Sequence, residues 1–342
     1  VTAPAVTVTP ALAPELEAAR NILVIKPSSL GDIVHSLPAV AAIKAAHPGG
    51  QFRWVANNEW VPVLRGNTDL RSVLPFPRAS MRGVFGFAKF LSWSRVLREP
   101  EVPDLVLDFQ GLLRSGLMAK RSGGRFVVGL SDAREGAGMF HHRKVEVDPS
   151  AHAIERYLAL ARALGADVPE DDDRLSFKLP RSRPEIAVPD SYVLLHPFSR
   201  GEGKSLSTEA VSRFCEVMGD IPVVVVGRGG PNLEGLPANA QNLIGHTGLA
   251  ELAWLMDNAE FNVSVDSGPA HMAAAVGEQL LAIHSWSDPR KVGPFRKRAW
   301  VWKGGRIARS GEFDPHLAAE GGEMPNLEQI ETIAAHVGLQ IL

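Results

Sequence analysis

Asn21-Ile-Leu-Val-Ile-Lys-Pro-Ser-Ser-Leu-Gly-Asp32 is the stretch that decides the fold. Between Asn21 and Lys26 the run Ile22–Ile25 is continuously apolar, which marks a short strand of the buried type. Pro27 to Gly31 breaks the strand. Asp32 then opens a helical stretch in which Ile33, Leu37, Val40 and Ile43 recur at helical spacing. An Asp at a helix start satisfies free N–H groups and suits the positive end of the helix dipole. A strand, a Gly-containing loop and a helix together make the first half of a βαβ unit.

The same alternation continues along the chain. Phe52–Val55, Ser72–Phe76, Asp104–Phe109 and Arg125–Gly129 read as strands, with helices from Leu112 and over Ala151–Leu164. Residues 166–190 then hold Asp171-Asp172-Asp173 and four prolines, the texture of an interdomain linker. Beyond it the pattern restarts. Strands are expected at Tyr192–His196, Val223–Val226, Phe261–Val265 and Gln279–His284, and helices at Ser207–Met218, Leu249–Asn258 and Pro269–Val276. The predicted class is α/β, with two Rossmann-like doubly wound domains facing across a cleft. The boundaries are a disordered Ala/Thr/Pro tail at 1–20, a first domain at 21–165, the linker at 166–190, a second domain at 191–325 and a C-terminal helix at 326–342. Ligands of such sheets bind outside the carboxyl ends of the strands.

Composition narrows the function without naming it. In 342 residues, 36 Lys+Arg stand against 38 Asp+Glu, so the net charge is -2 and a globally basic nucleic-acid binder is excluded. The charge is uneven. Residues 1–165 carry 20 cations and 14 acids, a net of +6, and residues 166–342 carry 16 and 24, a net of -8. The basic half suits an anionic partner. The single cysteine, Cys215, excludes an internal disulfide framework and a multi-Cys metal site. The longest apolar run is strand-length, far short of the ~20 residues that cross a bilayer. Val1–Pro14 lacks the charged start of a secretory signal, so a cytoplasmic protein is expected.

Four loops follow predicted strands. Lys26-Pro-Ser-Ser-Leu-Gly-Asp32 could hold an anion on backbone N–H groups, with Asp32 as a base; the plainer reading makes Asp32 an N-cap only. The loop matches neither the P-loop nor the dinucleotide fingerprint. His196-Pro-Phe-Ser-Arg-Gly-Glu-Gly-Lys204 offers Ser199, Arg200 and Lys204 as a phosphate cradle, or is a flexible polar loop. Val265-Asp-Ser-Gly-Pro-Ala-His271 ends a strand and starts a helix, with Pro269 suited to the first turn. Its N–H groups at Ser267, Gly268 and Ala270 would face a diphosphate, with His271 beside them or simply buried. A hydrolase triad from Asp266, Ser267 and His271 lacks the G-x-S-x-G elbow. Asp108-Phe-Gln-Gly-Leu-Leu-Arg-Ser115 is the fourth. From Arg114 to Lys144 seven cations face only Asp132 and Glu135, which suits a phosphorylated acceptor or an anionic membrane surface. His141-His142 has no acidic or thiol partner at metal-ligand spacing, so no metal site is expected.

Taken in order, these segments resemble one family. Ile25-Lys-Pro-Ser-Ser-Leu-Gly-Asp-Ile-Val-His-Ser-Leu-Pro38, Asp108–Ser115, Asp132-Ala-Arg-Glu135, His152-Ala-Ile-Glu-Arg156 and Ser264-Val-Asp-Ser-Gly-Pro-Ala-His271 resemble the bacterial lipopolysaccharide ADP-heptosyltransferases of glycosyltransferase family 9, most of all the heptosyltransferase I branch. The resemblance runs from about residue 21 to the end. It implies a GT-B fold and an inverting, metal-independent transfer of heptose from ADP-heptose to the Kdo of Kdo-lipid A, with no cofactor besides the donor. It implies Asp32 as catalytic base and Lys204 as the phosphate-contacting lysine, with Ser199, Arg200, Asp266, Ser267, Gly268 and His271 around the donor. Glu234 is the candidate for the donor ribose. Ser28, Gly31, Arg114, Arg134 and Arg156 fall in acceptor-side motifs. It further implies a protein peripheral on the inner face of the inner membrane, with no nucleic-acid partner. Where relatives carry Trp-Pro after the lysine, this chain has Ser205-Leu206.

Other readings stay open on the sequence. The acceptor could be heptosyl-Kdo-lipid A or a protein, or the chain could be a different GT-B enzyme such as an epimerase. A non-catalytic nucleotide-sugar-binding Rossmann pair would bind ADP without releasing it from ADP-heptose.

Overall fold

The computed structural model describes residues 11–201, 203–231 and 233–341. It divides into two compact units. The first takes the chain up to Ser28 and His35–Lys178, and the second takes Ser29–Val34 and the chain from Leu179 onward.

The first unit contains, in chain order, α1 (Pro14–Glu17), β1 (Asn21–Ile25), most of α2 (Leu30–Ala46), β2 (Gln51–Asn57), β3 (Leu70–Phe76), α3 (Gly86–Trp93), β4 (Leu105–Asp108), α4 (Leu113–Ser122), β5 (Phe126–Leu130), β6 (Arg143–Val145) and α5 (Ala153–Ala163). Its six strands lie in the order β3-β2-β1-β4-β5-β6, all parallel. The second unit contains β7 (Val193–His196), α6 (Thr208–Val217), β8 (Val223–Val225), β9 (Ala240–Asn242), α7 (Leu249–Asn258), β10 (Phe261–Val265), α8 (Gly268–Val276), β11 (Leu280–Ile283), α9 (Pro289–Val292), β12 (Trp300–Lys303), β13 (Arg306–Arg309), α10 (Pro315–Ala319) and α11 (Leu327–Ile341). Its order is β13-β12-β11-β10-β7-β8-β9, with β13 antiparallel on the edge.

Both sheets therefore place their first strand centrally, with the next two on one side and the fourth on the other. In this topology the chain changes direction between β1 and β4, and between β7 and β10. The loops leaving those four strands are where a doubly wound sheet leaves room for a ligand. The central strands are continuously apolar because both faces are covered: Ile22–Ile25, Val193–Leu195 and the side chains of β10 are buried. Each fully buried Val, Leu, Ile or Phe contributes roughly 1.5–3 kcal/mol.

Three expectations change. Residues 1–10 of the expected disordered tail lie outside the described residues. Residues 14–17 form α1, with Leu16 and nearby Ala19 fully buried and Ala13 bonded to Leu164, so order begins well before residue 20. Within 166–190 the side chains of Val168, Leu175, Phe177 and Leu179 are buried, and the units part at Lys178. The C-terminal helix α11 is no appendage: Ile330, Ile333, Ala334 and Val337 enter the core of the second unit.

At the carboxyl end of β4, Asp108 is fully buried. Its Oδ1 accepts the N–H groups of Gln110 and Gly111 at 3.0 Å, and its Oδ2 meets Ser115 Oγ at 2.9 Å and His141 Nε2 at 3.0 Å. One carboxylate thus shapes the whole 108–115 loop. Asp108→Ala would leave the Gln110 and Gly111 N–H groups without that acceptor and His141 without its carboxylate, at a cost of roughly 2–4 kcal/mol. A loss below about 1 kcal/mol in urea unfolding would show that the loop does not depend on it.

Candidate active site

The second unit gathers its polar groups at the ends of β7, β10 and β11. Asp266 follows β10 and is tied to the sheet by its N–H, which donates to the Ile283 carbonyl. Its buried Oδ2 receives Lys204 Nζ at 2.5 Å and Ser287 Oγ at 2.6 Å. Lys204 comes from the loop after β7, and its ammonium also lies 4.1 Å from the ring centre of Trp286, which is 57% exposed. Ser287 is positioned in turn: its Oγ contacts His284 Nδ1 at 2.9 Å, and its carbonyl accepts the buried Lys303 Nζ at 2.8 Å.

Ser267 is the N-cap of α8, and Pro269 stands in the first turn. The Ser267 Oγ lies 3.4 Å from His196 Nδ1, which puts a second histidine at this turn besides His271. The expectation for Ala270 is corrected. Its N–H donates to the Ser267 carbonyl at 3.1 Å, because the first turn closes tightly there. That leaves the N–H groups of Ser267 and Gly268 as the ones to hold an anion.

Ser29–Val34 belongs to this same unit. A Cβ on Gly31 would come 2.4 Å from the His271 ring, and one on Gly268 would come 2.8 Å from Leu30. Two glycines therefore permit close approach between the start of α2 and the start of α8. Asp32 is the third residue of α2, not its cap. Ser29 precedes the helix, and its N–H and Oγ donate to Asp32 Oδ2 at 3.1 and 2.7 Å. This is the return half of a capping box.

Other predicted donor residues are more loosely placed. The Ser199 N–H donates to Ser205 Oγ at 2.9 Å, which fixes the loop carrying Lys204. Arg200 is exposed, and Glu234 is exposed on the segment between β8 and β9.

In the first unit the Ser28 N–H donates to Gln110 Oε1 at 3.3 Å, joining the loops after β1 and β4. The Arg134 N–H donates to the Gly111 carbonyl at 2.8 Å, so the 132–135 turn is joined to them as well. The side chains of Arg114 and Arg134 are exposed, with the Arg114 guanidinium 5.9 Å from the Phe76 ring centre. Arg156 is already committed, through an ion pair with Asp132. Sequence reasoning missed His196, His284, Trp286 and Ser287. The signal was available, since His284-Ser-Trp-Ser-Asp288 also leaves a buried strand at its carboxyl end.

Burial pushes the His196 and His284 imidazoles down to about 4. Burial also lowers His271, against the pull of Asp266 and Asp32. Burial alone would raise the Asp266 carboxyl, but His284, Lys204 and Ser287 reverse this and hold it below the usual carboxylate range. At neutral pH Asp266 is therefore a carboxylate among neutral imidazoles. As pH falls from about 6.5 towards 4, unfolded histidines take up protons that His196 and His284 refuse. Stability is lost over that window, by up to about 3 kcal/mol per residue. His284→Asn should flatten the pH dependence of urea unfolding between pH 7 and 4.5; an unchanged slope would remove His284 as a contributor.

Comparison with known proteins bears on what these loops serve. The sequence profile of glycosyltransferase family 9 (heptosyltransferase) matches residues 91–314. Lipopolysaccharide heptosyltransferase 1 of Salmonella typhimurium is 28% identical over 295 residues, covering 81% of this chain and 92% of that protein. The structure of E. coli heptosyltransferase WaaC with ADP aligns at a TM-score of 0.73 and 22% identity, covering 93% of this chain and 99% of that one. The structure of WaaC with ADP-2-deoxy-2-fluoro heptose aligns at 0.69 and 24% identity, covering 82% and 92%. With about two thirds of its length inside the family profile, and with the GT-B fold of those structures, the chain belongs to glycosyltransferase family 9, the heptosyltransferases.

Proposed function

We propose that this glycosyltransferase transfers heptose from ADP-heptose to the Kdo of the lipopolysaccharide inner core, with inversion and without a metal ion. The observation that carries the reading lies within the second unit. The start of α2, bearing Asp32, packs against the start of α8, beside the Lys204–Asp266 pair. The names of the relatives agree with heptose and lipopolysaccharide as the substrates.

The reaction is a single displacement. A Kdo hydroxyl oxygen attacks the anomeric carbon from the face opposite ADP. Its proton passes to the Asp32 carboxylate as the new C–O bond forms. The bond from the anomeric carbon to the diphosphate oxygen breaks, and ADP leaves with the electron pair. The charge that develops on the diphosphate is met by Lys204 and by the N–H groups at the start of α8. Ser199 and Arg200 flank the phosphates, His271 backs them, and Glu234 takes the ribose. Ser28, Gly31, Arg114, Arg134 and Arg156 serve the acceptor, with Asp132 orienting Arg156. Among the described residues no helix is long and apolar enough to cross a membrane. We place the protein at the cytoplasmic face of the inner membrane, peripheral and reaching a lipid-borne acceptor.

Asp32→Asn separates the two roles of this carboxylate. The amide oxygen still accepts from Ser29, so unfolding stability should fall by no more than about 1 kcal/mol. Turnover should fall by at least about a thousandfold while ADP binding holds. A variant that keeps most of its kcat removes Asp32 as the base. Lys204→Gln should lower kcat by about 10²–10³. A change confined to the KM for ADP-heptose would make Lys204 a binding group alone. ADP release from ADP-heptose, with and without deacylated Kdo-lipid A, tests the whole reading. Release independent of acceptor, or none with it, would overturn it.

A further inference from the structure

The strongest feature outside the site lies in the first unit, between β3 and β4. Residues 70–98 contain six cations, Arg71, Arg78, Arg82, Lys89, Arg95 and Arg98, and no acidic residue. In their midst Val84, Phe85 and Phe87 are 96%, 73% and 65% exposed. Large apolar groups held this far into water mark a surface meant for a partner.

The display is built. Gly83 adopts φ +82° and its carbonyl accepts the Gly86 N–H at 2.9 Å. A Cβ on Gly86 would lie 2.1 Å from the Met81 carbonyl oxygen, so only glycine lets the chain double back there. This turn puts Val84 and Phe85 at its tip. Behind it, α3 is anchored: Phe90 enters the core, and Trp93 stacks edge-on to Phe76 at 4.7 Å and donates to the Pro75 carbonyl. The cations around the tip are exposed, and Arg78, Arg82, Lys89 and Arg95 have no acidic partner among the described residues. Arg98 donates to the Arg121 carbonyl and Arg121 to Ser94 Oγ, so this basic stretch runs on into α4.

We propose that the Val84–Phe87 tip inserts into the interface of an anionic bilayer while the surrounding arginines and lysines bind its headgroups. An apolar wedge ringed by one sign of charge fits such a surface. A protein epitope would more naturally offer charges of both signs. The inference extends the peripheral-membrane part of the proposed function. Vesicle binding is read without donor or acceptor, so its failure leaves heptosyl transfer standing.

The test is co-sedimentation of the full chain with phosphatidylglycerol-containing vesicles and with phosphatidylcholine vesicles. Binding should favour the anionic vesicles and weaken as salt rises. Phe85→Ser with Phe87→Ser should weaken it at least tenfold, while turnover on deacylated Kdo-lipid A is unchanged. As a second readout, Phe85→Cys carries an environment-sensitive dye on its thiol, Cys215 being buried. The dye should shift to the blue on anionic vesicles only. Absence of wild-type binding, equal binding by the double variant, or an unshifted dye would overturn the proposal. So would a double variant whose only change is lost self-association in light scattering, since the face would then belong to a second copy.

Discussion

Asp266 is a carboxylate at the end of a strand buried on both faces, and it must be compensated where it stands. Removing a charge from water without a partner costs several kcal/mol. Lys204 supplies the opposite charge, Ser287 a hydroxyl, and Lys303 holds the Ser287 backbone. The loops after β7, β10 and β11 are thereby fixed to one atom. The arrangement that the proposed function assigns to the diphosphate is a by-product of satisfying that carboxylate.

The first unit solves the same problem in parallel. Its fourth strand also ends in a buried aspartate, Asp108, again bonded to a serine and faced by a histidine. The difference is the lysine. Asp108 spends one oxygen on backbone N–H groups and the other on Ser115 and His141, and so shapes a loop, whereas Asp266 holds a lysine ammonium. Two sheets of one topology carry one structural motif, and a single added ammonium distinguishes the copy in the second unit from that in the first.

Much of this was legible in the residues. The central strands announced themselves as continuous apolar runs, because both faces of a parallel sheet are covered. Four strands were missed, β6, β9 and β13 at sheet edges and β12 (Trp300–Lys303) next to the edge strand β13. Arg143–Val145 and Ala240–Asn242 are three residues long. Arg306–Arg309 is polar, as edge strands are. Its hairpin was nevertheless written in Gly304-Gly305, both with positive φ, a turn signal that a search for βαβ units passes over. For the site, spacing located Lys204 and Asp266 on separate loops but could not pair them, since they stand 62 positions apart in sequence, with strands β8, β9 and β10 between them. Asp32 was legible as a helix-start residue, although its position in the cap required coordinates. The α1 helix was hidden by composition: Ala and Pro read as disorder until Leu16 finds a pocket to fill.

In the proposed reaction the Lys204–Asp266 pair also sets a threshold on what binds. An arriving anion does not meet a bare cation; it competes with a carboxylate already in contact. A ligand with one diffuse negative charge gains little from that exchange. A diphosphate, with more than one charge and several oxygens, can share the ammonium and use the helix N–H groups as well. On the proposed function, the pair therefore favours a diphosphate over a monoanion before the sugar is read.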